Sequence, residues 1–309
     1  MDLQAVVIVM PVFVLIATGY FLQQKKRFSP QTLKEFSFFI YWFTTPATLL
    51  RGILSADISV LQNASFFAAV CLPYFVTLTV VWITRSKETN DRFAVLMFCA
   101  TRGNNFFVGL PVVSLAMGQR GVEAGTLILA LSLVVMQLLT IGGGQLALYG
   151  TVSRKTIKNT AVQLLKNPPF IACVLGLFLV LVGLNRLPSW VNATMAVLSD
   201  MSTGMALIVL GGGMCLQNIF KTVISVWKIA LFKLVVHPVV TYAVFIGFGL
   251  PRDMVQAGVL LASMPVAVNA AIIVQEMGMD SSYCSMGIAV TTFFSLFTLP
   301  LLIQLLGLA

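Results

Sequence analysis

The stretch TRGNNFFVGLP, residues 101–111, gathers groups that can hold an ion. Arg102 is a permanent cation, Asn104 and Asn105 are adjacent amides, and Gly109 and Pro111 follow. A guanidinium and amide N–H groups are donors, and donors suit an anion such as a carboxylate. Yet these residues lie near the middle of an apolar run from about Phe93 to Met117. A second stretch, LLASMPVAVNAAIIVQEMG, resembles it in kind and carries Ser263, Pro265 and Asn269.

The elements that position these residues follow from composition. Of 309 residues, 59% are hydrophobic and only 9% are charged. A soluble domain carries about a quarter charged residues, so too few are present for a water-soluble surface. The chain is an integral, multi-pass membrane protein with no soluble domain and no low-complexity linker. Its apolar runs have the length of spanning helices. Ten are expected, at roughly 4–23, 34–54, 64–84, 92–117, 122–149, 165–183, 194–215, 223–249, 254–278 and 283–306. The first lacks a basic segment before it and a small-residue cleavage site after it, so it reads as a retained helix.

Charge sets an expected orientation. The odd-numbered loops carry Lys25, Lys26, Arg27, Lys34, Arg85, Lys87, Arg92, Arg154, Lys155, Lys158, Lys166, Lys221 and Lys228, against Arg51, Arg120, Arg186 and Arg252 in the even-numbered ones. Positive residues favour the cytoplasmic side, so the odd loops are cytoplasmic and both termini extracytoplasmic. The net charge of +9 is explained by this bias and anionic lipid, and no nucleic acid partner is expected. The longest cytoplasmic loop, 150–166, divides the spans five and five. An odd number per half makes the second half enter from the opposite face. The chain then reads as two inverted five-helix repeats, 1–149 and 167–309, a plan of secondary transporters.

Ten helical residues advance about 15 Å. Arg102 to Pro111 therefore falls near the midplane of the fourth span, and Pro265 and Asn269 near that of the ninth. Pro111 has no N–H and Gly109 weakens a helix, so unwinding is expected between about Gly103 and Pro111. Unwound backbone in hydrocarbon must be satisfied by protein or water. Two breaks can satisfy each other by crossing, and each exposes a half-helix N-terminus with partial positive charge. With Arg102 added, the centre of the molecule would attract an anion. Arg102 either serves that role, snorkels toward the cytoplasm or pairs with a carboxylate.

At these residues the chain resembles the auxin efflux carrier family, which includes plant auxin exporters and bacterial carriers of malonate and other organic acids. The resemblance rests on GNNFFVGLP, on Pro265 and Asn269, on KNPPFIACVLGL with Asn167, Pro168 and Gly176, on YWFTTPATLL with Pro46, and on FKLVVHP with Lys233 and Pro238. No single motif is diagnostic, and their order is more specific than any one. The resemblance implies ten helices in two inverted halves, crossing broken helices four and nine, and a transport domain sliding against a dimerising scaffold. Arg102 and Asn105 depart from that pattern and could tune substrate choice, and His237 beside Pro238 is also particular to this chain.

Other polar residues fall within the spans. Lys233 either neutralises substrate or ties down an unwound carbonyl. His237, four residues on and so on the same face, either relays a proton or is a hydrogen-bonded structural residue. Gln137 either lines the site or bonds across helices. Asp200 and Glu276 have no adjacent acidic partner. The stretches IGGG (141–144) and LGGG (210–213) lack the setting of a phosphate loop and read as close helix contacts. The sequons at Asn63 and Asn192 read as chance. The five cysteines, Cys71, Cys99, Cys173, Cys215 and Cys284, stand singly and read as small buried hydrophobes. No metal, cofactor or enzymatic activity is expected. The leading expectation is an elevator-type carrier of a small organic mono- or dicarboxylate, working as a homodimer in the cell membrane. The alternative is a Na⁺- or H⁺-coupled symporter of the bile-acid or antiporter-like architecture; a non-transporting receptor is a further class.

Overall fold

The computed structural model describes residues 3–57, 59, 63–85, 88–184, 186–214 and 219–308. Lys87 and Cys215 lie outside the described residues, as does the side chain of Lys221. Among the described residues the regular elements are all helical. In chain order they are α1 (Leu3–Gln24), α2 (Pro30–Phe39), α3 (Thr45–Ser55), α4 (Ala64–Ile83), α5 (Asn90–Cys99), α6 (Leu110–Tyr149), α7 (Arg154–Leu165), α8 (Pro168–Leu181), α9 (Ser189–Gly212), α10 (Ile219–Leu231), α11 (His237–Gly247), α12 (Arg252–Ala262), α13 (Ala270–Glu276) and α14 (Ser281–Leu305).

By length and composition, five helical stretches can cross a bilayer: Ala64–Ile83, Asn105–Tyr149, Ser189–Gly212, Thr222–Gly247 and Ser281–Leu305. The pair α7 and α8, bent by 66°, makes a sixth when counted as one broken span. The outer surface is apolar, with Phe21, Ile83, Leu181, Trp190 and Ile224 all exposed. That surface suits lipid and not water.

The stretch through α6 is not one rod. At about 1.5 Å per residue, a 40-residue helix would far exceed the roughly 30 Å of a hydrocarbon core. Gly118 breaks it, with φ 63° and ψ −151°. The chain folds back there, because a methyl placed on Gly125 would lie 3.8 Å from the Leu110 side chain. The two residues would stand about 22 Å apart on a straight helix.

Three wide, π-type turns interrupt the helical ladder, at Ile40–Thr44, Asn105–Gly109 and Phe232–Val236. Each ends two residues before a proline: Pro46, Pro111 and Pro238. A proline cannot donate to the turn behind it, and its ring crowds the carbonyl four residues back. A widened turn moves that carbonyl to a donor five residues on. Thr45 N–H donates to Ile40, Leu110 N–H to Asn105 and His237 N–H to Phe232. Unwinding expected as far as Pro111 therefore stops earlier. The irregular segment is Thr101–Asn104, and Pro111 lies in the first turn of α6, where no N–H is needed.

The connector 150–166, expected as a loop, is largely helix α7. Ser153 Oγ caps it by accepting from Thr156 N at 3.1 Å. Thr160 and Leu164, one turn apart, form its buried side. The sequence reading gave weight to the basic residues and missed this stripe.

The second interruption, Ser263–Asn269, separates α12 from α13 and meets the first. Gly103 and Val266 form an isolated antiparallel bridge. Asn104 N donates to Pro265 O at 2.8 Å, and Ala267 N donates to Arg102 O at 3.1 Å. Val266 N donates to Thr291 Oγ1 of α14 at 3.1 Å. Lys233 Nζ donates to Ala262 O, a carbonyl that the end of α12 leaves free. Side chains and the opposite break thus take up the groups that unwinding releases.

Elsewhere small residues bring backbones together. α1 and α9 cross where Gly19 faces Ile208 and Gly211 faces Ile16; a methyl on Gly211 would lie 1.8 Å from the Ile16 carbonyl oxygen. Gly204, on the same helix, has open space at that position. Gly211→Ala is expected to cost about 1–3 kcal/mol and lower the unfolding temperature of the purified protein, while Gly204→Ala leaves it unchanged. A second pair tests the crossing. Thr291→Val orphans the Val266 N–H and is expected to cost about 1–3 kcal/mol. Thr292→Val, whose hydroxyl is buried without a partner, is expected to be neutral or stabilising in the same assay.

Candidate functional site

The crossing leaves a cavity of about 180 Å³ beside it. From the first break it is lined by Arg102, Gly103, Asn104 and the opening turn Asn105–Phe107, and from the second by Ala267, Val268 and Asn269. Gln137, Leu133 and Met136 of α6 close one side, and Tyr41, Gln163 and Asn167 another. Gly103 allows the close approach: a methyl there would lie 2.7 Å from Asn105 Oδ1.

Arg102 is the charged residue on this wall, and it is 3% exposed. Its Nη1 donates to Gln137 Oε1 at 2.5 Å and reaches Thr140 Oγ1 at 3.4 Å. Its guanidinium carbon stands 4.9 Å over the Phe98 ring. These contacts orient the group without neutralising it. Among the described residues no carboxylate pairs with it; an ion pair at 2.9 Å joins Lys228 and Glu88 instead. Two buried donors on the same wall, Arg102 Nε and Asn104 Nδ2, have no hydrogen-bond partner. Thr101 Oγ1 and Asn105 Oδ1 are also buried and unpartnered. A buried cation with unused donors beside it is costly unless an anion completes it.

Two larger cavities adjoin this one. A polar cavity of about 380 Å³ shares Gln163 and Ile273 with it and includes Gln145, Asn159 and Glu276. A mostly apolar groove of about 550 Å³ shares Phe107, Val268 and Asn269 with it and includes Lys34.

Of the residues singled out from sequence, the cavity collects Arg102, Asn104, Asn105, Gln137 and Asn269. The others are placed elsewhere. Gly109 lies against α12, where a methyl would stand 2.9 Å from Leu261. Pro111 is inside α6. Ser263 Oγ donates back to Leu260 O at 2.7 Å, and the Pro265 carbonyl is taken by Asn104. Lys233 faces the Ala262 carbonyl. His237 Nδ1 is 3.0 Å from Thr77 Oγ1, and its ring meets Tyr74 edge-on at 5.2 Å. Asp200 is exposed on α9.

The reading of the sequence missed Tyr41 and Gln163, and it used Asn167 only as a marker of resemblance. Tyr41 sits in the π-type turn before Pro46, so the proline was its signal. Gln163 belongs to α7, hidden while that segment read as a loop. Asn167 stands at the bend between α7 and α8, where its Oδ1 accepts from Phe170 N at 3.1 Å.

Comparison with known proteins identifies the family of the chain. The chain matches the family model described as "Membrane transport protein" over residues 4–150 and 151–303. It is 23% identical over 306 residues to a putative malonate transporter of Rhizobium meliloti (strain 1021), covering 97% of this chain and 95% of the relative. It is 24% identical over 303 residues to an uncharacterized transporter of Methanothermobacter thermautotrophicus, covering 95% of each. It is 23% identical over 300 residues to the uncharacterized transporter YfdV of Escherichia coli (strain K12), covering 94% of each. These matches extend over nearly the whole length and agree with the resemblance to auxin efflux carriers, transporters and not enzymes. The chain therefore belongs to the Membrane transport protein family, as a multi-pass membrane protein.

Proposed function

We propose that this protein is a secondary carrier of a small organic anion, a mono- or dicarboxylate, and that the anion binds beside Arg102. One observation carries the reading: a guanidinium buried at the crossing of two interrupted helices has no carboxylate partner among the described residues. The unpartnered donors of Arg102 and Asn104 supply the remaining contacts for a carboxylate. The Rhizobium relative's name, putative malonate transporter, belongs to the same chemical class.

The architecture that goes with this function is ten spans in two inverted five-helix halves, 1–149 and 167–309, with both termini extracytoplasmic. The fold-back at Gly118 supports it by dividing one long stretch into the fourth and fifth spans. The breaks at Thr101–Asn104 and Ser263–Asn269 then fall in the fourth and ninth spans, and they run antiparallel. Alternating access follows from elevator-like sliding of one helix group against the other. The polar cavity that meets the site at Gln163 provides an aqueous approach. A homodimer is supported by Asp200, a carboxylate exposed midway along α9. Lipid there would leave the charge unsolvated, and a second copy would cover it.

Arg102→Gln is expected to weaken anion binding about 10- to 100-fold, the worth of one charge-assisted contact. Its unfolding temperature should be unchanged or higher, because an uncompensated buried charge is removed. Gln137→Glu should abolish binding in the same way by placing a carboxylate beside the guanidinium. Calorimetric titration of purified protein with malonate, alongside uptake into proteoliposomes, measures both. Wild-type affinity and rate in Arg102→Gln would refute the assignment.

A further inference from the structure

The charge on the cavity wall sets how much charge the site accepts. We infer that it takes one negative charge at a time: a monocarboxylate, or a dicarboxylate that still holds one proton. This inference rests on the anion-carrier reading and deepens it.

Arg102 contributes the charge on the cavity wall. The other polar groups facing the space are neutral amides, Asn104, Asn105, Gln137, Gln163, Asn167 and Asn269, and the Tyr41 phenol. Among the described residues, the other titratable groups that act on the guanidinium are the thiols of Cys99 in α5 and Cys284 in α14, whose sulfurs are 3.6 Å apart. Thiols and phenols are neutral in their ordinary form near pH 7. The buried cation of α10–α11, Lys233, is turned to the Ala262 carbonyl, and His237 to Thr77; neither lines the cavity. Of the two adjoining cavities, the polar one brings a carboxylate, Glu276, and the apolar groove brings Lys34 at its own wall.

A monoanion makes the site neutral. A dianion leaves a net negative charge beside buried groups that offer one cation, where an unpaired charge is penalised. Amides discriminate in the same direction. Each offers both an N–H and a C=O, so it can accept from the O–H of a protonated second carboxyl as readily as it donates. One guanidinium and several neutral amides on a shared wall thus fit a carboxylate and, beside it, an uncharged hydrogen-bonding group.

The test follows malonate affinity by calorimetric titration of the purified full-length protein across the pH range above the acid's second dissociation. Propanoate, a monoanion throughout that range, is titrated in parallel. Malonate affinity is expected to fall about tenfold per pH unit, tracking its monoanion fraction, while propanoate affinity changes less than about twofold. Gln163→Lys adds a positive charge across the cavity from Arg102 and should flatten or reverse the malonate dependence. Constant or rising malonate affinity in the wild-type protein would overturn the single-charge inference and leave the anion site standing. Failure of both acids to bind at any pH would overturn the anion reading itself, and this inference with it.

Discussion

Inside a bilayer a polypeptide has no water to fall back on, so each N–H and C=O released from a helix must find a partner in the protein. The bridge between Gly103 and Val266 is the answer this chain gives. Each break supplies what the other lacks: Asn104 donates to Pro265, and Ala267 donates to Arg102. Thr291 and Lys233 serve groups that the crossing leaves over. The arrangement is mutual, because neither segment could remain unwound if the other were a continuous helix. Residues far apart in sequence are thereby held within one small volume, and the cavity beside them is a consequence of that pairing.

The charge at the centre is expensive in the same sense. Gln137, Thr140 and the Phe98 face hold the guanidinium in place, but none carries a negative charge. Arg102 in isolation is a poor contributor to stability. A residue that costs stability and leaves donors unused is understood through what it binds. The proposed anion supplies the missing negative charge. The single-charge inference follows from the same count, since among the described residues no second cation lines the wall.

Much of this was legible in the sequence because it depends on composition and on helix breakers. The low charge content gave the membrane class, and apolar runs such as 64–84 and 283–306 coincide with helices α4 and α14. The Asn-Asn and proline signals pointed to both interruptions, which bring Arg102, Asn104, Asn105 and Asn269 to one cavity, and Gln137, singled out as a polar residue within a span, joins them there. What stayed hidden depends on tertiary contact. Gly109 reads the same whether it opens a site or lets α12 approach, and only the 2.9 Å clearance to Leu261 decides. Ser263 and Pro265 sit in the break, yet their polar atoms are already engaged. Gln163 was obscured because basic residues dominate α7 and conceal a short buried stripe at Thr160 and Leu164.

The prolines teach a more specific lesson. A proline in a spanning helix reads as the point of rupture, and at Pro111 that was the expectation. Instead Pro46, Pro111 and Pro238 each follow a widened turn that absorbs the missing hydrogen bond upstream. The extra residue in such a turn rotates the helix face before the ladder resumes. Tyr41, Asn105 and Lys233 lie within these three turns. Two line the cavity and the third restrains the end of α12 beside the crossing. The proline marks the helix, and the residue displaced by widening the turn before it reaches the centre. In this chain the polar group to examine therefore stands five or six residues ahead of each of these three prolines, a spacing set by the geometry of the turn and not by the chemistry of the group.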